Sequence, residues 1–200
     1  MDWAFAVLAG GIAFGIVGLE LVTAKYPRTW FCIKGSFSFW IYCLIYGVIS
    51  AVVFICLNAL VASDKVQLSD GVMTSPWLRA IAVGIAIKSF LHINLFNVTV
   101  NAQPFPVGVA TLMELFEPHL LRTIVFDEFN AVRAYVGPTA GRYPIVAQVI
   151  QTINRNTPPS LPAPEVGAFR DELNKSADST EAMEKALRFL GRKSFLRIFP

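Results

Sequence analysis

Three stretches of the chain are apolar for longer than a soluble helix requires. The first is WAFAVLAGGIAFGIVGLELVTA, Trp3 to Ala24, 22 residues with Glu20 as its one charged side chain. The second runs from about Phe37 to Ala62 and carries no charge. The third begins near Trp77 and reaches about Val100, with Lys88 and His92 inside it. About 20 apolar residues cross a bilayer core, so the pattern predicts three transmembrane helices, 3–24, 37–62 and 77–100. A secretory signal peptide would need a basic n-region before the first run, and Met1-Asp2 supplies none, so the first run reads as a retained helix. A fourth crossing around Pro106 to Phe126 is rejected. Glu114, Glu117, His119 and Arg122 are costly in lipid, and Pro118 interrupts a helix.

Beyond residue 100 the pattern becomes helical and amphipathic. With Pro118 at a first helical position, PHLLRTIVFDEFNAVRAYVG predicts a helix that stops at Gly137-Pro138. PIVAQVIQTINRN sets Ile145, Val146, Val149, Ile150 and Ile153 on one stripe. TPPSLPAPE reads as a stiff proline-rich connector, and two short helices follow, about Glu165 to Lys175 and Ser179 to Leu190. Asp178 with Glu181 has capping-box spacing, and Gly191 fits a position just past a helix end. The fold class expected is all-α: three transmembrane helices followed by a small helical cytoplasmic domain. The expected parts are a transmembrane domain 1–100, a helical region 101–156, the connector 157–165, and C-terminal helices with a tail at 166–200.

Charge sharpens this division. Mean hydropathy is +0.54 and charged residues are 16% of the chain, below the ~25% of soluble proteins. Residues 1–100 hold six of the 17 basic side chains and four of the 14 acidic ones, so most of the charge lies in the second half. The loop KYPRTWFCIKGS has Lys25, Arg28 and Lys34 and no acid, whereas SDKVQLSDGVMTSPW has two acids and one base. The positive-inside rule then places the first loop and the C-terminal half in the cytoplasm, with the N-terminus outside. In that topology the Asn97-Val-Thr99 sequon faces the cytoplasm. A bacterial inner membrane is the expected location.

Ionisable groups at membrane depth must face protein or water. Glu20, Lys88, His92, Asn94 and Asn97 are therefore expected to form an intramembrane polar cluster, with Glu20 within reach of His92 or Lys88. Such a cluster serves as glue between helices, lines a water-filled path, or relays protons. Gly11, Gly15 and Gly18 fall on one face of the first span, where small residues let a second helix approach. Three spans enclose no pore alone, so a path would require a homo-oligomer.

Little in the sequence points to catalysis. There are two histidines, and no glycine-rich phosphate loop, CxxC, HExxH or nucleophile elbow. Glu114, Glu117 and His119 suit a metal only if one helix aligns them, and Pro118 argues against that. No metal and no cofactor is expected. Cys32, Cys43 and Cys56 read as small apolar packers, and Asp127-Glu128 with Arg133 as a solvated helix face. The tail RKSFLRIFP interleaves Arg192, Lys193 and Arg197 with Phe195, Leu196, Ile198 and Phe199. It reads either as a membrane-surface or anionic-ligand element or as a segment docked on its own domain. A net charge of +3 does not argue for nucleic acid.

Two functions fit these features. In one, an oligomeric, channel-like or membrane-perturbing protein is controlled by a cytoplasmic domain that senses a small anionic ligand or a protein partner. In the other, a membrane-anchored scaffold holds a soluble partner at the inner membrane surface. The order of parts, a few spans and then a compact soluble half, resembles the membrane effectors of bacterial antiviral defence systems. That resemblance in layout implies a soluble part whose activation leads to membrane damage or arrest, and it implies no site residues.

Overall fold

The computed structural model describes residues 2–63, 75–91, 96–100, 103–107, 109–156 and 163–200. They are overwhelmingly helical: α1 (Asp2–Glu20), continued by a π-helical turn Leu21–Lys25, then α2 (Trp30–Ile33), α3 (Phe37–Ala62), α4 (Pro76–Leu91), α5 (Val109–Ala140), α6 (Val146–Asn156), α7 (Ala163–Asn174) and α8 (Ser179–Ile198). Between α4 and α5 lies an antiparallel ribbon of β1 (Phe96–Val100) and β2 (Gln103–Val107). The chain forms two compact units. The first comprises Met1–Lys25 and Phe37–Thr123, the second Tyr26–Ser36 and Ile124–Pro200.

Among the described residues two helices are long and apolar enough to cross a membrane, Trp3–Lys25 and Phe37–Ala62, rather than the three expected. The third run does not continue to Val100. Its helix stops at Leu91, and Phe96–Val100 is a strand. At ~1.5 Å per residue, the 16 residues of α4 reach ~24 Å, short of the ~30 Å hydrocarbon core. The physical reason lies beyond Leu91, where β-branched Val98, Thr99 and Val100 favour extended backbone. The register pairs Thr99 with Pro104 and Asn97 with Pro106. Val100 and Gln103 close the ribbon across two residues, so hydrogen-bonded pairs alternate from there. Pro104 and Pro106 then fall on the pairs whose N–H would point outward, where proline is tolerated.

In the first unit, α1 presents a buried stripe of Ala6, Ala9, Ala13, Val17 and Leu21. Their spacing of three and four keeps them on one face, and mostly small side chains let α3 and α4 come close. Contact is tightest between Gly10 and Gly47. A Cβ on Gly10 would stand 2.8 Å from the Gly47 carbonyl oxygen. Gly84 of α4 is as constrained, since a Cβ there would meet Ile12 Cβ at 2.8 Å and the Ala9 carbonyl at 2.9 Å. Ser50 Oγ donates to the Ala9 carbonyl at 3.1 Å. Ala6, Ala9, Phe54, Ala80 and Val83 form one cluster. The opposite faces are apolar and uncovered: Trp3, Val7, Leu8, Ile16 and Leu19 on α1, and Phe37, Trp40, Leu44, Val48, Val52, Ile55 and Leu60 along α3.

α5 departs from expectation at both ends. It starts nine residues before Pro118 and runs past Gly137-Pro138 to Ala140. Pro118 costs the backbone bond to Glu114 and Pro138 the bond to Ala134, and the helix continues across both. Its later half packs Val132, Val136 and Ala140 into the core of the second unit, with Val149, Ile153, Leu173, Met183 and Leu187. The tail docks there too: Phe195, Ile198 and Phe199 are buried. Asp178 caps α8 as its spacing predicts. Its Oδ1 accepts from the Glu181 N–H at 2.7 Å, and Glu181 Oε2 accepts from the Ala177 N–H at 2.7 Å. Gly191, at φ +74° and ψ 165°, kinks α8. Asp127 and Glu128 are not a solvated face. Ser36 Oγ donates to Asp127 Oδ2 at 2.6 Å, and Glu128 is buried against Arg188. The expected connector 157–165 lies largely outside the described residues, and its last three residues open α7.

Candidate functional site

Of the five residues expected in the intramembrane cluster, two meet. Lys88 Nζ lies 2.5 Å from Glu20 Oε2. Glu20 ends the regular part of α1, just before the π-helical turn, and Lys88 sits one turn from the end of α4. His92 and Asn94 lie outside the described residues, and Asn97 falls on β1.

The pair does not stand alone. Lys88 Nζ lies 5.7 Å from the centroid of the Tyr46 ring, in cation–π range. Tyr46 Oη is 3.5 Å from Tyr42 Oη, one turn earlier on α3. Tyr42 Oη donates to Glu117 Oε1 of α5 at 2.6 Å. With the Tyr42 proton spent on Glu117, Tyr46 is the donor between the two hydroxyls. A ladder therefore runs Glu20, Lys88, Tyr46, Tyr42, Glu117 and touches all four long helices that contribute to the first unit. Both tyrosines are nearly fully buried, while Lys88 and Glu20 keep 32% and 49% of their side-chain surface open.

Sequence reasoning missed the middle and far end of this ladder. Nothing in the hydropathy pattern singled out Tyr42 and Tyr46 for polar contacts, and Glu117 counted as a charge costly in lipid and as a rejected metal-ligand candidate. The usable sign was their spacing. Two tyrosines at i and i+4 put two hydroxyls on one face of an apolar helix, and hydroxyls buried there need partners.

The remaining candidates separate. A Cβ on Gly11 or Gly15 would meet nothing within 4 Å, whereas one on Gly18 would make ordinary contact with Cys43 and Phe39. Within one copy, the closest helix approaches are at Gly10, Gly47 and Gly84. Arg192, Lys193 and Arg197 are exposed around a buried apolar side, so Phe195, Ile198 and Phe199 are not available to dip into lipid. Arg192 lies over the Phe31 ring at 5.2 Å. Burial, then the Glu128 charge, pushes the Cys32 thiol up to about 11, so it stays protonated at neutral pH and packs rather than attacks. At the far end of the bundle Arg79 is buried, and neither its Nε nor Asn58 Oδ1 has a hydrogen-bond partner among the described residues. Among the described residues no three His, Cys, Asp or Glu side chains are grouped to hold a metal.

The second unit holds a second ionic set. Arg188 grips Glu128 with two hydrogen bonds, Nε to Oε1 at 3.2 Å and NH2 to Oε2 at 3.0 Å. Arg133 Nε lies 3.7 Å from Glu184 Oε1. Arg28, from the first loop, donates to the Phe189 carbonyl and lies over its ring at 5.3 Å. Every acid in this set is spent on holding helices together.

No family model, curated protein or solved structure matches this chain.

Proposed function

We propose that the chain is a membrane-anchored helical scaffold, whose bundle fixes it in the bilayer and whose second unit is held at the cytoplasmic surface for a soluble partner. The ladder from Glu20 to Glu117 carries this reading. It closes within one copy and engages both ionisable groups of the membrane-depth pair with each other. That is the arrangement of polar glue, in which each group finds its partner on a neighbouring helix.

The units support a topology. Tyr26–Ser36 and Ile124–Pro200 form one compact body, which favours their lying on the same side of the membrane. α3 leaves that side at Phe37, and the chain has to return before Ile124. α4 is not one of the two membrane-length helices, and its packing beside α1 and α3 supports a return alongside them rather than a third independent span. Its start packs with Ala6 and Phe54, and its end reaches Glu20 and Tyr46. Ala6 to Glu20 is ~21 Å along α1, close to the length of α4. A short, partly polar helix can make this passage because α1 and α3 cover it. The basic loop Lys25, Arg28 and Lys34 then marks the shared side as cytoplasmic.

A second reading, the oligomeric conduit, draws on two features: Glu20 and Lys88 stay partly open, and Gly11 and Gly15 leave a smooth uncovered face on α1. Ion flux through proteoliposomes separates the two. The scaffold predicts that wild type and Lys88→Met leak no more than empty vesicles. A conductance above that baseline, altered by Lys88→Met, would establish the conduit instead.

A further inference from the structure

One face of α5 is unlike the rest of the second unit. At 100° per residue, Arg122, Val125, Phe126, Phe129 and Arg133 fall within about 100° of one another. All five are exposed, Phe126 at 63%. Phe129 lies under two guanidinium groups, Arg133 and Arg188, each 5.8 Å from its centroid. His119 continues the face toward the start of the helix, also exposed.

The acids of the same stretch are all turned away. Glu117 accepts from Tyr42, Asp127 from Ser36, and Glu128 from Arg188. No acidic residue between Phe116 and Arg133 is exposed. Arg133 is partly engaged by Glu184, while Arg122 has no ion pair among the described residues. What remains outward is aromatic and cationic.

We infer that this face of α5 lies in the headgroup layer and binds anionic lipid. Arginines meet phosphates, and phenyl rings sit at the acyl boundary, as in interfacial helices. Within the first unit, the same helix begins beside the bundle: Glu117 is bonded to Tyr42, five residues or ~8 Å along α3 from Phe37. This inference rests on the membrane reading of α1 and α3. It does not depend on whether the protein is a scaffold or a conduit.

The test places a spin label on Phe126→Cys in a chain whose three cysteines are replaced, reconstituted in nanodiscs of phosphatidylcholine with phosphatidylglycerol. A label on Arg155→Cys, on exposed α6, serves as the water reference. Oxygen accessibility relative to a water-soluble nickel chelate is expected to be several-fold higher at 126 than at 155. It should fall toward the reference when phosphatidylglycerol is omitted or Arg122 is replaced by Glu. Phe126→Trp in the otherwise native chain reads the same depth through quenching by brominated lipid, should replacing the cysteines disturb folding. Equal nickel accessibility at 126 and 155, with no bromolipid quenching at 126, would overturn the inference. So would dipolar broadening between labels at 126, which would assign the face to a second copy. If labels within α1 or α3 also report water, the membrane reading itself fails, and that outcome is distinguishable from failure at 126 alone.

Discussion

Tyr42 of α3 and Glu117 of α5 share a 2.6 Å hydrogen bond, although 75 residues separate them. The bond joins the apolar bundle to the start of the helix that also builds the core of the second unit. Tyr42→Phe removes the donor and leaves Glu117 to be solvated elsewhere. The expected loss is about 1–2 kcal/mol, since a hydrogen bond to a charged group is at stake. Hydrogen exchange in nanodiscs should show faster exchange of α5 amides around 113–121, with those of α8 unchanged.

Gly84 should be among the least replaceable residues of the bundle. Even alanine places a Cβ against Ile12 and the Ala9 carbonyl, neither of which is a flexible side-chain end. Gly84→Ala is expected to cost about 1–3 kcal/mol through overpacking. Gly11→Ala and Gly15→Ala, which meet nothing, should leave the thermal midpoint of a monomeric protein unchanged and serve as controls. A loss at Gly11 or Gly15 would reveal a helix from a second copy.

Glu184 carries a pH signature. It lies on the buried side of α8, and burial raises its pKa above the ordinary 4.5, with Arg188 and Arg133 pulling partly the other way. The folded chain therefore keeps this proton to a higher pH than the unfolded chain. The group's contribution is most favourable below the unfolded pKa and is lost as pH rises through the folded one. Glu184→Gln should raise the thermal midpoint at pH 7, and the gain should vanish as pH falls to about 3, below the ordinary carboxylate range.

Gly191 holds φ +74° and ψ 165°, backbone that only glycine adopts freely. The kink lets Phe195, Ile198 and Phe199 turn back into the core. Gly191→Ala is expected to cost about 1–3 kcal/mol. Limited proteolysis should then cut the tail after Arg192 or Lys193 sooner than in wild type.

The sequence exposed some of this plainly and hid the rest for physical reasons. Apolar length identifies α1 and α3, because a run of that kind has few other uses. It overstates α4, because Ile93, Leu95, Phe96, Val98 and Val100 continue the hydropathy while β-branching ends the helix. Proline spacing misleads in both directions. Pro118 lies inside α5, since the remaining bonds of a 32-residue helix outweigh one lost bond, and Pro104 and Pro106 conceal a strand because only register shows that their missing N–H groups are harmless. The Glu20–Lys88 contact was within reach, as depth along two helices brings them level. The Tyr42–Glu117 contact was not, because it depends on where a helix beyond the ribbon returns. The same limit explains Asp127 and Glu128, whose partners, Ser36 and Arg188, are 91 and 60 residues away.

Thermal unfolding of Lys88→Met in nanodiscs tests the central claim most directly. Loss of the Glu20 pair and the Tyr46 contact should cost about 1–2 kcal/mol, an interhelical hydrogen bond and a cation–π contact together. For a chain of this length that is a fall of about 2–8 °C in the midpoint. Glu20→Gln with Lys88→Met together should fall little further than Lys88→Met alone, because the two residues act as one pair. An unchanged or higher midpoint for Lys88→Met would contradict the claim that this ladder holds the bundle together.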